Sequence, residues 1–542
     1  MEQAIHQIES PATDQHAGPG WKEYQKFLFR IAFIFFIAIS IPNNANWYAH
    51  VFSIDWTNLH YRDLYDIARF GSGINFFGNT IFGSTLSGYA NWIISLLFAI
   101  GGALIWTAAI KVLRRDNLNY PLFYYWLRVV VRYRAGIGII GFGFTKLFPV
   151  QMPYPGHGIL NTDFGDLTSQ KIYWLSIAIV PWYQVFAGIV EITAGTLLFF
   201  RRTTLIGAIL LFGALGDIVY VNFAYDGGVH VYSSYFVLLA GFILIPYIPA
   251  LWSLIVQERV THFKLYYPKF TESWQQLTRY ALKSGTIVVF LVLFLWLQYI
   301  NFRYDPYKQP STKGVTDLRG HYDVVSFKLN GEEIPVDPTD SVRWSEASFE
   351  KWTSLTFKVN RKHPLDLSNG GGDPQRDINR TFEIAGVGGG RRVFHYYADT
   401  IEQVLYLQDK YKTIPDRRNR TAGVGGDGAT DGQARIAVKA SLPASGIYSP
   451  DWISEDAWKR IGDENKMIDP RAASTRRDRE FAANKGKYDN RKRMVLHYST
   501  ADNGNTITLK GLDENQDSVE IALKRIDRKY ALTPSTLDAG KY

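Results

Sequence analysis

The run GTIVVFLVLFLWLQYINF (285–302), followed at once by RYDPYKQPSTKG (303–314), decides how the chain divides. The first segment carries no charge. A helix crossing the hydrocarbon core of a bilayer takes about 20 mostly apolar residues, so this run reads as a membrane span. The second segment opens a polar region rich in Gly, Asp and Arg that continues to residue 542.

Upstream, six more apolar runs lie at 27–42, 90–112, 128–148, 174–200, 203–222 and 231–256. The reading is therefore a polytopic α-helical membrane bundle of about seven spans, followed by an all-β extracytoplasmic domain, a small barrel or sandwich. Mean hydropathy is −0.10, the average of two unlike halves. Aromatic residues make up 15% of the 542 positions and charged ones only 20%. Cys is absent, which removes disulfides, thiol catalysis and Cys-ligated metal together. The first apolar run begins after a polar segment, 1–26, and lacks a small-residue cleavage site, so it reads as a retained helix.

Basic residues fall on alternate connections: Lys111, Arg114, Arg115 and Arg128, then Arg201 and Arg202, then Arg259, Lys264, Lys269, Arg279 and Lys283. The connections between them, 43–89, 149–171 and 223–230, are richer in Asp. Positive residues stay in the cytoplasm, so the tail 1–26 is expected inside and everything after 302 in the periplasm of a bacterial inner membrane. The net charge of +9 is then a topology signal, and no nucleic-acid partner is implied.

In the polar half, 318–329, 352–360, 393–398, 403–409, 493–499, 505–510 and 518–526 read as strands. Asn330-Gly331 and Asn503-Gly504 mark hairpins. Residues 303–410 and 493–542 form this β domain. Residues 411–492 read as a partly flexible insertion, with a short helix near Glu455–Ile461.

Ionisable residues within spans are the chemical signal. Each costs about 2.5–3.5 kcal/mol on insertion scales, so such residues face a bundle interior and pair. Arg134 and Lys146 lie in RAGIGIIGFGFTKLF (134–148), Glu191 in WYQVFAGIVEITAG (182–195) and Asp217 in LFGALGDIVY (211–220). At the rise of an α-helix, Arg134 sits roughly 9 Å and Glu191 roughly 14 Å above the cytoplasmic ends of their helices. Asp217 sits roughly 21 Å and Lys146 roughly 27 Å up. These heights pair Arg134 with Glu191 and Asp217 with Lys146. Snorkelling of Lys146 to the interface is the plainer alternative. Among the histidines His50, His60, His157 and His230 in outer connections, His157 and His230 are candidates to hold a quinone head group; no metal-ligand spacing is present. The aromatic connection 43–89 reads as a lid or as an interfacial belt. GVGGG (386–390) reads as turns between strands.

The segments RAGIGIIGFGFTKLF and PWYQVFAGIVEITAGTLLFFRRTTLIGA resemble the DoxX-like family of bacterial membrane proteins. The resemblance covers about residues 128–250. The stretch 317–349 (DLRGHYDVVSFKLNGEEIP…RWSEASF) is similar to a lipocalin-like β domain fused behind such helices. The family implies redox work at the membrane, in some members as small subunits of a quinone-linked oxidoreductase, and it places Arg134, Lys146 and Glu191 at motif positions. The lack of thiols here argues against disulfide exchange. Two functions follow as expectations. One is a quinone-linked redox membrane subunit. The other is a non-catalytic anchor presenting a periplasmic domain to a protein partner. A transporter-like bundle is a third, without a matched pair of broken helices to support it.

Overall fold

Every apolar run folds as helix. A computed structural model describes residues 21–42, 45–70, 83–114, 116, 118–263, 265–306, 308–371, 376–411, 446–449, 451–475, 478 and 491–542. The helices are α1 (Glu23–Ser40), α2 (Ala45–Phe52), α3 (Tyr61–Ala68), α4 (Gly83–Leu113), α5 (Tyr120–Leu147), α6 (His157–Leu160), α7 (Ser169–Ala178), α8 (Pro181–Leu198), α9 (Thr204–Ala224), α10 (His230–Ile255) and α11 (Ser273–Tyr304).

By length and composition, four described helices reach across a membrane: Tyr89–Leu113 of α4, α9, α10 and α11. The pair α7 and α8 qualifies together as a fifth, bent by 91°. The bend has a local cause. Pro181 opens α8, where its missing N–H costs nothing, and it pushes Val180 out of helical conformation (φ −121°, ψ 76°). Of the other runs, α1 has 18 residues, and α5 carries Arg128, Arg132, Arg134 and Lys146.

Helix α5 runs through the middle of the bundle. Its Gly136 and Gly143 lie seven residues apart on one face, opposite Gly195 and Gly188 of α8. A Cβ on Gly136 would stand 2.9 Å from the Gly195 carbonyl, and one on Gly188 would stand 2.6 Å from the Gly143 carbonyl. The two backbones touch because no side chains separate them, which is how small residues drive association of membrane helices. Phe29, Leu127, Val131, Leu211, Tyr235 and Phe236 fill the bundle core.

The polar half is a closed barrel. Strands β1 (Gly320–Leu329), β2 (Glu332–Glu333), β3 (Trp344–Phe349), β4 (Ser354–Val359), β5 (Arg391–Asp399), β6 (Val404–Asp409), β7 (Arg493–Ala501), β8 (Thr506–Leu512) and β9 (Ser518–Arg525) pair antiparallel in near-sequential order. β2 is a short hairpin partner of β1. The other eight close when β9 returns to β1 (Phe327 opposite Ile521). An eight-stranded up-and-down barrel is the lipocalin architecture. Its interior is just wide enough for side chains to fill, and here Tyr322, Phe349, Tyr396, Leu405 and the stacked Trp344–Phe357 pair fill it. Both Asn-Gly pairs turn hairpins. Asn330 and Gly331 adopt φ of 52° and 86°, and Asn503 and Gly504 adopt 57° and 83°.

Strand β5 is buried on both faces. Phe394 and Tyr396 point into the barrel, and Tyr397 packs outside against Ile453, Ala457 and Ile461. These three come from residues read as insertion. The expected short helix there is present as α12 (Glu455–Ile461), its N-cap Ser454 accepting from Ala457 N–H. Helix α13 (Glu464–Met467) follows. This part of 411–492 is a packed cover for the barrel wall; positions 412–445 and 479–490 lie outside the described residues.

Candidate functional site

The membrane charges pair differently from the depth arithmetic. Lys146 Nζ donates to both oxygens of Glu191, at 2.9 and 2.8 Å, with both residues buried. Arg134 does not reach Glu191. Its Nη1 donates to the Ala68 carbonyl at 2.7 Å, capping the C-terminal end of α3, and its guanidinium lies 3.9 Å from the Phe70 ring centre. Asp217 does not reach Lys146 either; it is exposed on the outside of the bundle, with no ion pair among the described residues. Height and direction were both misread: Lys146 and Glu191, set about 13 Å apart in height by the helical rise, meet because the run 174–200 bends at Pro181 and Gly188 of α8 lies against Gly143 of α5. Leu211, Leu215 and Asn222 of α9 face inward, and Asp217, two residues beyond Leu215, points to the other side.

The histidines also separate. His230 packs between the rings of Tyr89 and Phe223, with centroids 5.8 and 4.5 Å away. His60 caps α3 and lies 3.5 Å from Asp305. His157 stands at the contact between bundle and barrel.

That contact is extensive. Glu350, at the end of β3, accepts from the amides of His157 (2.9 Å) and Gly158 (2.8 Å), so a barrel carboxylate seats the first turn of α6. Lys358 meets Asp163 at 2.5 Å. The glycine-rich segment 386–390 serves the same junction: Thr168 N–H donates to the Gly386 carbonyl, and Gly388 N–H donates to that of Asp166. Lys171 donates to the Phe382 carbonyl at 2.6 Å. Behind them, Arg380 is 1% exposed and holds Asp305 at 2.5 Å, with the carbonyls of Pro306 and Gln309 as further acceptors. Asp305 directly follows α11, so this network fixes the barrel to the end of the last span.

Between these parts lies a cavity of about 640 Å³. Four separate segments wall it: the bundle loop from Pro149 to Leu160, Arg303 to Lys313 after the last span, Glu350–Trp352 of the barrel, and Tyr530–Tyr542. The last segment runs along the end of the bundle. Trp182 Nε1 donates to Thr536, and Gly540 N–H donates to the Phe302 carbonyl. Both contacts lie at barrel-side ends of helices in the bundle. Prolines, leucines and aromatic rings make up much of its wall, and Arg303, Lys313, Lys351 and Lys541 bring positive charge.

Glu350 and His157, both on this wall, are shifted by their surroundings. Burial pushes the Glu350 carboxyl up to about 7; the two amides oppose that shift, and Glu383 adds to it. His157 is held below its ordinary value by burial first, then by Lys351 and Arg525. Its Nδ1 is buried without a hydrogen-bond partner. A buried polar atom without a partner is costly, and one on a cavity wall marks a place for a ligand or water.

Comparison of the chain with family models, with curated proteins and with solved structures gives no match. The fold and the site therefore define the class by themselves: a helical membrane protein with a fused eight-stranded barrel and a cavity at their junction. Of the cavity-lining residues, the sequence singles out His157. It misses Glu350, Lys313, Lys351 and the closing segment 530–542, which carry no local motif.

Proposed function

We propose that this protein binds the head group of a membrane-dissolved amphiphile in the cavity between its bundle and its barrel. The carrying observation is the position and lining of that cavity: apolar and aromatic walls with a few polar groups, at the junction between the barrel and the apolar helices. Such a mixture suits small-molecule sites in general. The unpaired Nδ1 of His157 supplies a hydrogen-bonding position inside it. A quinone belongs among the compounds to try, as the DoxX-like resemblance implies. On this reading seven helices span a bacterial inner membrane, the N-terminal tail is cytoplasmic and the barrel is periplasmic, in line with the basic connections.

The test fills the cavity. Ala539 lines it and is half-buried. The wild-type protein and Ala539→Trp are purified in mild detergent, and their bound small molecules are extracted and identified by mass spectrometry. A stoichiometric amphiphile in the wild type, lost in the variant, is expected. Equal recovery from both proteins contradicts the reading.

A further inference from the structure

We propose that the head group taken by this cavity is anionic, a phosphate or carboxylate carried on a hydrocarbon tail. The inference rests on the reading above and adds the ligand's charge.

The charges on the wall are unequal. Arg303, Lys313, Lys351 and Lys541 face two carboxylates, Glu350 and Asp538. Glu350 is already engaged, with both oxygens on the amides of His157 and Gly158. The cations are less engaged. Among the described residues Arg303, Lys313 and Lys351 make no ion pair, and Lys541 sits 4.6 Å from the ring centre of Tyr304. Elsewhere at this junction cations are tied up: Lys358 by Asp163, Lys410 by Glu383, Arg380 by Asp305. Arg303, Lys313, Lys351 and Lys541 of the wall thus have no carboxylate partner among the described residues.

Two of them lie on neighbouring backbone segments. Lys313 and Trp352 form an isolated antiparallel bridge, and Gly314 N–H donates to the Lys351 carbonyl. The two lysines thus stand on adjacent extended backbones. Arg303 comes from the last turn of α11. An oxyanion entering among them gains charge-assisted hydrogen bonds, the strongest kind available to a neutral-pH site. A tail extending from it finds the prolines and leucines of the loop from Pro149 to Leu160 and of segment 530–542.

Lys313 and Lys351 are both exposed side chains, so Lys313→Glu/Lys351→Glu leaves the fold intact. The control is Arg361→Glu/Lys362→Glu, an equal charge reversal on exposed barrel residues outside the cavity wall. Each protein is placed in nanodiscs of equimolar phosphatidylglycerol and phosphatidylcholine, and the lipids retained are counted by native mass spectrometry. The wild type and the control are expected to retain phosphatidylglycerol about tenfold over phosphatidylcholine, and the cavity variant to lose that preference. Loss of preference in the control as well shows diffuse surface attraction and overturns the inference. Equal retention of both lipids, or displacement of neither by a quinone that itself binds the wild type, overturns the anionic assignment and leaves the amphiphile reading standing. Binding of inorganic phosphate as tight as that of phosphatidylglycerol shows a free-anion site and overturns the tail. Retention of no lipid and no quinone overturns both readings.

Discussion

Lys146 on α5 and Glu191 on α8 form a buried ion pair, with Nζ at 2.9 and 2.8 Å from the two carboxylate oxygens. The pair lies beside the glycine contacts that bring the two helices together. Two charges cancel here where no water would solvate them, and the pair sets the rotation of α8 against α5. Its position also anchors the loop that follows α5 and leads into the cavity.

Removing one partner leaves the other charge buried and alone. Lys146→Met and Glu191→Leu should each destabilise the protein by about 3–5 kcal/mol, while the double substitution recovers most of that loss. Thermal unfolding in detergent reads this out. Asp217→Asn should shift stability by less than about 0.5 kcal/mol, because Asp217 makes no ion pair among the described residues. A large loss on Asp217→Asn would mean that the carboxylate faces inward.

The glycine contacts predict a steric effect distinct from the electrostatic one. Gly188→Ala places a methyl group 2.6 Å from the Gly143 carbonyl, so α5 and α8 must separate. The expected cost is about 1–3 kcal/mol. Gly213→Ala, where a Cβ meets nothing within 4 Å, should be neutral or slightly stabilising. The comparison is made by thermal unfolding of both variants.

The junction should fail when Arg380 is shortened. Arg380→Leu leaves Asp305 and Asp377 buried without their shared cation. A loss of about 3–5 kcal/mol is expected, localised between span and barrel. Limited proteolysis should then cut within 303–320 while barrel and bundle fragments persist. Unchanged resistance there would show that the other junction contacts suffice.

Glu350 predicts a pH dependence with a defined sign. Its carboxyl titrates near 7 when folded, against an ordinary 4.5. Between those values the folded state binds the extra proton, so this residue's contribution to stability falls as pH rises from about 4.5 to about 7 and is flat beyond. The full difference is on the order of 3 kcal/mol. Three barrel histidines act oppositely. Burial lowers His395 to about 3 and His321 and His363 to about 4, so their contribution is lost as pH falls below 6.5. The difference between wild type and Glu350→Gln isolates the carboxyl. It should change between pH 4.5 and 7; a flat difference contradicts the assignment.

Much of the fold was legible because hydrophobic runs and strand alternation are local properties. All seven apolar runs are helical, both Asn-Gly turns are in place, and Glu455–Ile461 is a helix with its Ser454 cap. Strand β3 was missed because a register shift between Trp344 and Glu346 breaks its alternation. The ion pairs were misassigned because the run 174–200 was counted as one straight helix although it bends by 91° before Pro181, and because depth carries no azimuth, which left Asp217 on the outer face. The cavity was illegible because its walls come from segments up to about 390 residues apart, and because Glu350 acts through backbone amides of His157 and Gly158 that no side-chain pattern announces.

The most direct measurement is an electron cryomicroscopy map of the full chain in nanodiscs made from bacterial membrane lipid. The account predicts density for an amphiphile whose head lies among His157, Lys313 and Lys351 and whose tail leaves toward the bilayer. A cavity holding only water, with lipid density confined to the outer faces of the helices, would contradict it.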